Sequence, residues 1–370
     1  MNLPKKIILF SLLFIVLFLT LIYGAGFFSR KKSYNVLAGR ESAKAIDKET
    51  SKIPVEKFSK EVKILFAGDL MLDRYNRVIT EKNGVEYFTK NISKIFQDSD
   101  LNIVNLEGPV TDSETVSLAI ETTDRNHFKF TFDKDSTKNF LAYNRINMVN
   151  LGNNHILNFG ESGAQETMDF LKENKVGYFG SPANDKNGYL EKKINGLKIA
   201  LVNYNQFSKL DFENISAKIK DAKNKNDIVV VYAHWGREYE LIQSESQQKI
   251  AHNFIDSGAD LIIGSHPHVV QPIEVYKNKA IFYSLGNFVF DQYFSEDVKN
   301  ELIVTASLNK NKIEFVLTPL FKNENGSLSL GSQIKRSQLL ERIANDSLVN
   351  NLIKEQIKNS VVFLNNIQSN

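Results

Sequence analysis

The sequence has no cysteine. That excludes disulfides, thiolate metal ligands, a cysteine nucleophile and a lipoprotein-type lipid anchor. It leaves the compartment open, because disulfide-free proteins occupy either redox environment. Net charge is almost absent as well: 46 basic and 43 acidic side chains leave +3 over 370 residues, a balance that gives no sign of a nucleic-acid partner. Tryptophan occurs once and histidine only six times, and no internal repeat is visible. What is present is a chain that is 42% hydrophobic, long enough to bury one large core and carry an appendage.

The N-terminus is the most legible local feature. Lys5 and Lys6 precede an apolar run over residues 7–28, which Arg30, Lys31 and Lys32 close. Roughly twenty such residues span a bilayer core. The run is longer than a signal-peptide core and no A-x-A cleavage pattern follows it, so the expectation is an uncleaved anchor over residues 1–32. Basic clusters at both ends leave the orientation open. Residues 33–60 are rich in Lys, Glu, Ser and Ala without apolar periodicity and read as a solvated linker.

From there the pattern changes. Short β-type runs at 62–67, 101–105, 146–151, 198–203, 228–233, 261–264 and 280–284 each end in polar residues. Helix-like stretches at 164–174 and 244–257 lie between some of them. That alternation predicts an α/β domain over 61–320. Residues 302–308 and 313–318 read as a hairpin, and 321–370 as a C-terminal helical extension. In such folds functional groups sit past the carboxyl ends of strands.

The polar clusters all fall there. Asp69 follows the first run, Glu107 the second, and Asn153, Asn154 and His155 the third. His234 ends the most apolar strand, and His266 and His268 flank Pro267 beyond another. Taken singly, each has an ordinary explanation: a turn, a cap, a core histidine. As a set they place four of six histidines at strand ends beside carboxylates and amides. Pro267 biases His266 towards extended backbone, and residues two apart in an extended segment point the same way. The two imidazoles are therefore expected to converge, with His234, Asn154, Glu107 and Asp69 around them. Such a mixed N/O set suits Mn²⁺, Fe²⁺ or Zn²⁺, and a bridging carboxylate would make it a two-metal hydrolytic centre. His127 and His252 fit no cluster.

The ordered motifs Gly68-Asp69, Asn105-Leu106-Glu107, Gly152 to His155, His234-Trp235-Gly236, Gly264 to His268 and Ser284 to Phe288 resemble those of the CapA-type poly-γ-glutamate capsule biosynthesis family, which is related to calcineurin-like metallophosphoesterases. The likeness runs from about residue 62 to 292. It implies a four-layer α/β/β/α sandwich and a role in making or exporting anionic polyglutamate at the cell surface. It further implies a main domain outside the cytoplasmic membrane on a single-pass anchor, with capsule-synthesis membrane proteins as partners and polyglutamate or a phosphoester as substrate.

Carried over by position, the likeness implies one metal subsite of Glu107, Asn154, His234 and His266 and another of Asp69, Glu107 and His268. His155 matches a general-acid candidate. Arg237, Glu238 and Asn287 stand where substrate contacts or ordering residues are expected. Two departures stand out. Met71 replaces an imidazole common in metallophosphoesterases, so one tight and one weak metal site are expected. Asn158 replaces an acid behind His155, and an amide cannot stabilise imidazolium by charge. Two functions remain open: a metal-dependent hydrolase, or a non-catalytic accessory of the capsule machinery.

Overall fold

The structure is a computed structural model that describes residues 61–118, 125–180, 189–209, 212–309 and 312–365. The anchor expected at 7–28 and the linker at 33–60 lie outside the described residues. Among those described, no helix is long and apolar enough to cross a membrane.

The fold is an α/β sandwich of two sheets. The first has nine strands. From β1 to one edge, β1 (Val62–Leu70), β2 (Leu101–Leu106), β3 (Met148–Asn150) and β4 (Gly177–Phe179) run parallel. Beyond β1, the long antiparallel pair that the sequence reads as a hairpin, over Asn300–Leu308 and Lys312–Lys322, extends the sheet. The second sheet has six strands. Its parallel core includes β6 (Leu197–Asn205), β7 (Ile228–His234) and β8 (Leu261–Ser265), with β5 (Tyr189–Ile194) antiparallel at one edge. The antiparallel pair β9 (Ile273–Tyr276) and β10 (Lys279–Phe282) closes the other edge, β10 running parallel to β8. Each β-type run read from the sequence is a strand here, its ends shifted by at most three residues.

Apolar residues sort by face. Ile64, Phe66 and Ile103 from the first sheet meet Leu201, Val230 and Ile263 from the second in one inter-sheet core. The opposite face of the first sheet packs Val104 and Leu65 against Ile79 of α1 (Tyr75–Asn83), Phe140 of α2 (Lys134–Tyr143) and Leu171 of α3 (Gly160–Glu173). The opposite face of the second packs Val229 and Val231 against Ile219 of α4 (Phe212–Lys225) and Phe254 of α5 (Glu245–Asp256). Strands buried on both faces read as continuous apolar runs, which is why they stand out in the sequence. Helix α5 starts at Ser244 with a capping box, in which the Ser244 hydroxyl accepts from Gln247 N–H and the Gln247 side chain from Ser244 N–H.

The remaining elements complete the first sheet. Strand β11 (Asn287–Val289) pairs parallel with β1. β12 (Asn300–Leu308), β13 (Lys312–Lys322) and the short β14 (Leu328–Ser329) follow. The C-terminal segment holds α6 (Gln333–Asp346), α7 (Asn351–Lys358) and a strand, β15 (Val361–Asn365), that pairs with β13. Leu340, Ile343 and Ile357 from these helices join the inter-sheet core.

Candidate metal centre

The carboxyl ends of β1, β2, β3, β7 and β8 meet at one edge of the sandwich, and glycine makes the approach close enough. A Cβ at Gly68 would lie 1.9 Å from Gly286 O, and one at Gly264 1.9 Å from Tyr283 O. Neither position tolerates a side chain without backbone movement. The first contact seats β11 beside β1, so that Asp69 and Asn287 are register partners.

Asp69, Glu107 and His234 are fully buried, and His266 and His268 nearly so. Ligand atoms of Glu107, His234 and His266 lie within 4.8 Å of one another, as do those of Asp69, Glu107 and His268. Asn154 Oδ1 lies 2.8 Å from His234 Nε2. On its other side His234 Nδ1 is 3.0 Å from Ser265 Oγ, which donates to Ala233 O. In the tautomer that gives Nδ1–H to Ser265, the Nε2 lone pair and Asn154 Oδ1 would face the same volume as two acceptors; in the other, Nε2–H donates to Asn154 Oδ1.

Two further acceptors are orphaned. Glu107 Oε1 and His266 Nδ1 are buried without a hydrogen-bond partner. Buried polar atoms are otherwise almost always paired, so a cluster of acceptors around one space fits a cation there. The electrostatics agree. Burial pushes the Glu107 carboxyl well above its ordinary range, and the Asp69 charge adds to this. Burial, then neighbouring imidazoles, hold His234 well below its usual value, and burial lowers His266 to about 3. Neutral imidazoles beside crowded carboxylates are the state a divalent ion relieves, and Arg74 offsets the Glu107 charge only in part.

Asn105, two residues before Glu107 and on the same face of β2, is the hub below. Its Nδ2 lies 2.8 Å from Asp69 Oδ1, 3.4 Å from Glu107 Oε2 and 3.3 Å from His234 Nδ1. Its Oδ1 accepts from Asn150 and Asn153 side chains. Asn153 also receives the N–H groups of His155 and Ile156, which fixes the turn that presents Asn154. Sequence reasoning gave Asn105 no role, although its period-two spacing from Glu107 carries the signal.

The 266–268 segment departs from expectation. Both histidines have positive φ, 95° and 58°, rather than the extended backbone that Pro267 favours locally. Tertiary bonds override that preference: His266 N–H donates to Asp69 Oδ2 and Pro267 O accepts from Tyr239 N–H. The imidazoles still converge, with ring centres 6.0 Å apart. Asn287 Oδ1 pairs with His268 Nδ1 at 3.0 Å, and Asn287 Nδ2 contacts His268 O and Val298 O. Asn287 therefore orders a candidate ligand.

His155 lies over Phe130, ring centres 4.3 Å apart, with Nδ1 3.0 Å from Asn158 Oδ1 and Nε2 3.9 Å from Glu107 Oε1. Burial lowers it to about 4 despite the Asn158 bond. Met71 is fully buried, its Sδ accepting from Asp73 N–H. The Asp73 carboxylate is occupied by Arg77, Thr115 and Ser117. Arg237 and Glu238 are exposed, on the loop after β7. Trp235 is fully buried and bonds Tyr283 O through Nε1. His252 pairs with Glu274 and stacks on Tyr276, away from the cluster.

Arg74 was not legible as a site residue. Its backbone, at φ 52° and ψ −130°, is strained for a non-glycine residue. Its guanidinium is paired to Asp291 and lies 5.0 Å from the Phe130 ring centre and 5.6 Å from that of Phe290. Phe290 in turn packs on His268 at 4.6 Å. These partners are far apart in sequence, so no local pattern announces them.

The chain is similar to proteins of bacterial capsule synthesis. The PGA biosynthesis protein CapA of Bacillus subtilis is 33% identical over 303 residues, covering 76% of this chain and 77% of that protein. The capsule biosynthesis protein CapA of Bacillus anthracis is 30% identical over 302 residues, covering 76% and 72%. A Mycobacterium tuberculosis protein named "Probable polyglutamine synthesis accessory protein" is 26% identical over 259 residues, covering 60% and 66%. The profile of the bacterial capsule synthesis protein family PGA_cap matches residues 63–292, a span that contains every candidate ligand described above, and the chain belongs to that family.

Proposed function

We propose that this protein is a divalent-metal-dependent hydrolase of poly-γ-glutamate capsule synthesis or export. In this reading the sandwich is of the four-layer metallophosphoesterase type, tethered by residues 7–28 with its body outside the cytoplasmic membrane. Glu107, Asn154, His234 and His266 hold one ion tightly. Asp69, Glu107 and His268 hold a second more weakly. Mn²⁺, Fe²⁺ and Zn²⁺ all suit these donors. When bound, the ions supply Lewis acidity toward a phosphoester or γ-glutamyl substrate. The single observation carrying the reading is the pair of buried, unpartnered acceptors, Glu107 Oε1 and His266 Nδ1, facing other ligand-type groups.

The remaining residues bind, orient and move protons. Asn105 fixes the Asp69 and Glu107 carboxylates, and Asn287 fixes His268. His155 handles a proton at Nε2, its ring set by Asn158. The Arg74 guanidinium and the exposed Arg237 favour an anionic substrate. Capsule-synthesis membrane proteins are the proposed partners.

Metal analysis of the detergent-solubilised full chain after dialysis, followed by hydrolysis of a generic phosphodiester and of γ-linked polyglutamate, tests the proposal. Bound metal with turnover of either substrate supports it. Neither metal nor turnover favours the accessory role, for which the buried thioether of Met71 is the specific observation. Topology has its own test. Protease added to wall-stripped cells should release a fragment beginning within residues 33–60, whereas protection until lysis would reverse the orientation.

A further inference from the structure

The second candidate position is short of donors. Asp69, Glu107 and His268 supply two carboxylates and one imidazole. Met71 is turned away to Asp73 N–H, and the Asp73 carboxylate is held by Arg77, Thr115 and Ser117. Among the described residues, no further carboxylate or imidazole groups with these three.

The loop after β7 offers a donor from the other side. A carboxylate oxygen of Glu238 and ring nitrogens of His266 and His268 lie within 4.8 Å of one another. Glu238 is exposed as a residue, yet both flanks of its loop are tied down. Gly236 N–H donates to Gln206 Oε1 at 2.9 Å, Tyr239 N–H to Pro267 O at 2.8 Å, and Gln271 Nε2 to Glu240 O at 2.8 Å. Positive φ at Gly236 (89°) and Tyr239 (67°) turns the chain on either side of Glu238. The Tyr239 ring packs 6.2 Å from His268. The loop is thus clamped to the segment that carries both histidines. His266, whose Nδ1 is buried and unpartnered, belongs to the first position and His268 to the second, so the Glu238 carboxylate stands where the two positions meet.

We propose that Glu238 is a metal ligand, a loop carboxylate that closes the second cation position from the solvent side in place of the imidazole that residue 71 does not supply. The inference rests on the metal-centre reading above. It makes the second position richer in oxygen than the first, with three carboxylates and one imidazole against one carboxylate, one amide and two imidazoles. The second position should therefore prefer Mn²⁺ over Zn²⁺ more strongly than the first. It also makes the weak position the one whose donor lies on the accessible face.

The test is Mn²⁺ titration of the full chain in detergent by calorimetry and electron paramagnetic resonance. Wild type is compared with Glu238→Gln, Glu238→Asp and the neighbouring-charge control Glu240→Gln. Wild type should take up two ions and show the signal of a coupled pair. Glu238→Gln should keep the first ion at wild-type affinity, lose affinity for the second by about 10–100-fold, and lose the coupled signal. Glu238→Asp should retain part of it, and Glu240→Gln should leave both ions in place. Glu238→Gln binding two ions like wild type overturns the assignment, as does Glu240→Gln weakening the second ion equally, since the effect would then be one of field rather than ligation. Wild type binding no Mn²⁺ at all would overturn the metal-centre reading itself, so the two failures are distinguishable. Unchanged melting of the metal-free variants shows that folding is not the cause.

Discussion

Glu107 and Glu301 are both buried carboxylates with unpartnered oxygens, one on Glu107 and both on Glu301. Burial raises both well above the ordinary carboxyl range. They differ in company. Glu107 stands past a strand end among Asp69, His234, His266 and His268, groups that can share an ion. Glu301 is the second residue of β12, register partner of Leu320, and the charge acting on it is Lys322. Lys322 spends its own donors on Phe290 O and Val298 O and is lowered to about 8 by burial. An orphaned acceptor therefore marks a ligand site only where other acceptors converge on it. Alone, it is a cost carried by the fold.

The largest expected effect separates the two regions directly. His266→Ala should lower metal affinity by at least the roughly 100-fold that loss of an outer-shell partner can reach, with melting of the metal-free protein nearly unchanged. Metal analysis after dialysis and thermal denaturation would show it. Wild-type metal content in that variant would remove the contrast, because the converging acceptors would then be as idle as Glu301.

Glu301→Gln should do the reverse: no change in metal binding, but a gain in stability at neutral pH, because an amide is neutral without the proton that the buried carboxyl must take up on folding. The sign follows from linkage. The folded carboxyl holds its proton above the unfolded value near 4.5, so the native state binds more protons there and wild-type stability falls as pH rises through that window. The variant should lack this fall. Urea denaturation between pH 4 and 8 measures it, and parallel curves for the two proteins would show that Glu301 is not the group responsible.

The smallest effect lies inside the site. Asn158→Asp keeps an oxygen for Phe130 N–H and His155 Nδ1 and adds a charge. His155, at about 4 in the wild type, should bind its proton about tenfold more tightly, or about 1.4 kcal/mol. Ring-proton NMR titration of the metal-free protein reads this. An unmoved titration would mean that residue 158 orients the ring without tuning it.

The strand ends were legible because a carboxylate or imidazole placed just past a doubly buried run has few other reasons to be there. Asp69, Glu107, Asn154, His234, His266 and His268 all come together at one edge. The conformation of the 266–268 segment was not legible, because a local proline preference gives way to bonds from Asp69 and Tyr239, distant in sequence. Nor was the reach of the C-terminal segment. Helical spacing shows that Leu340, Ile343 and Ile357 share a face, but not that this face joins the core of Ile64 and Val230. Arg74 and Glu301 were hidden for the same reason, since their meaning lies in Asp291, Phe290 and Lys322.

The donors come from opposite leaves of the sandwich. Asp69, Glu107 and Asn154 lie at or just past strand ends of the first sheet, and His234, His266 and His268 at or just past strand ends of the second. In the protein alone, links between the leaves include the Tyr232 hydroxyl to Ala67 O and His266 N–H to Asp69. An ion at this edge would act as a clasp, and the free energy of its capture would become resistance to unfolding. At a free concentration one hundred times its dissociation constant, that is about 2.7 kcal/mol. Melting temperature would then serve as a gauge of ambient metal, and a chelator would loosen the two leaves without altering a single side chain.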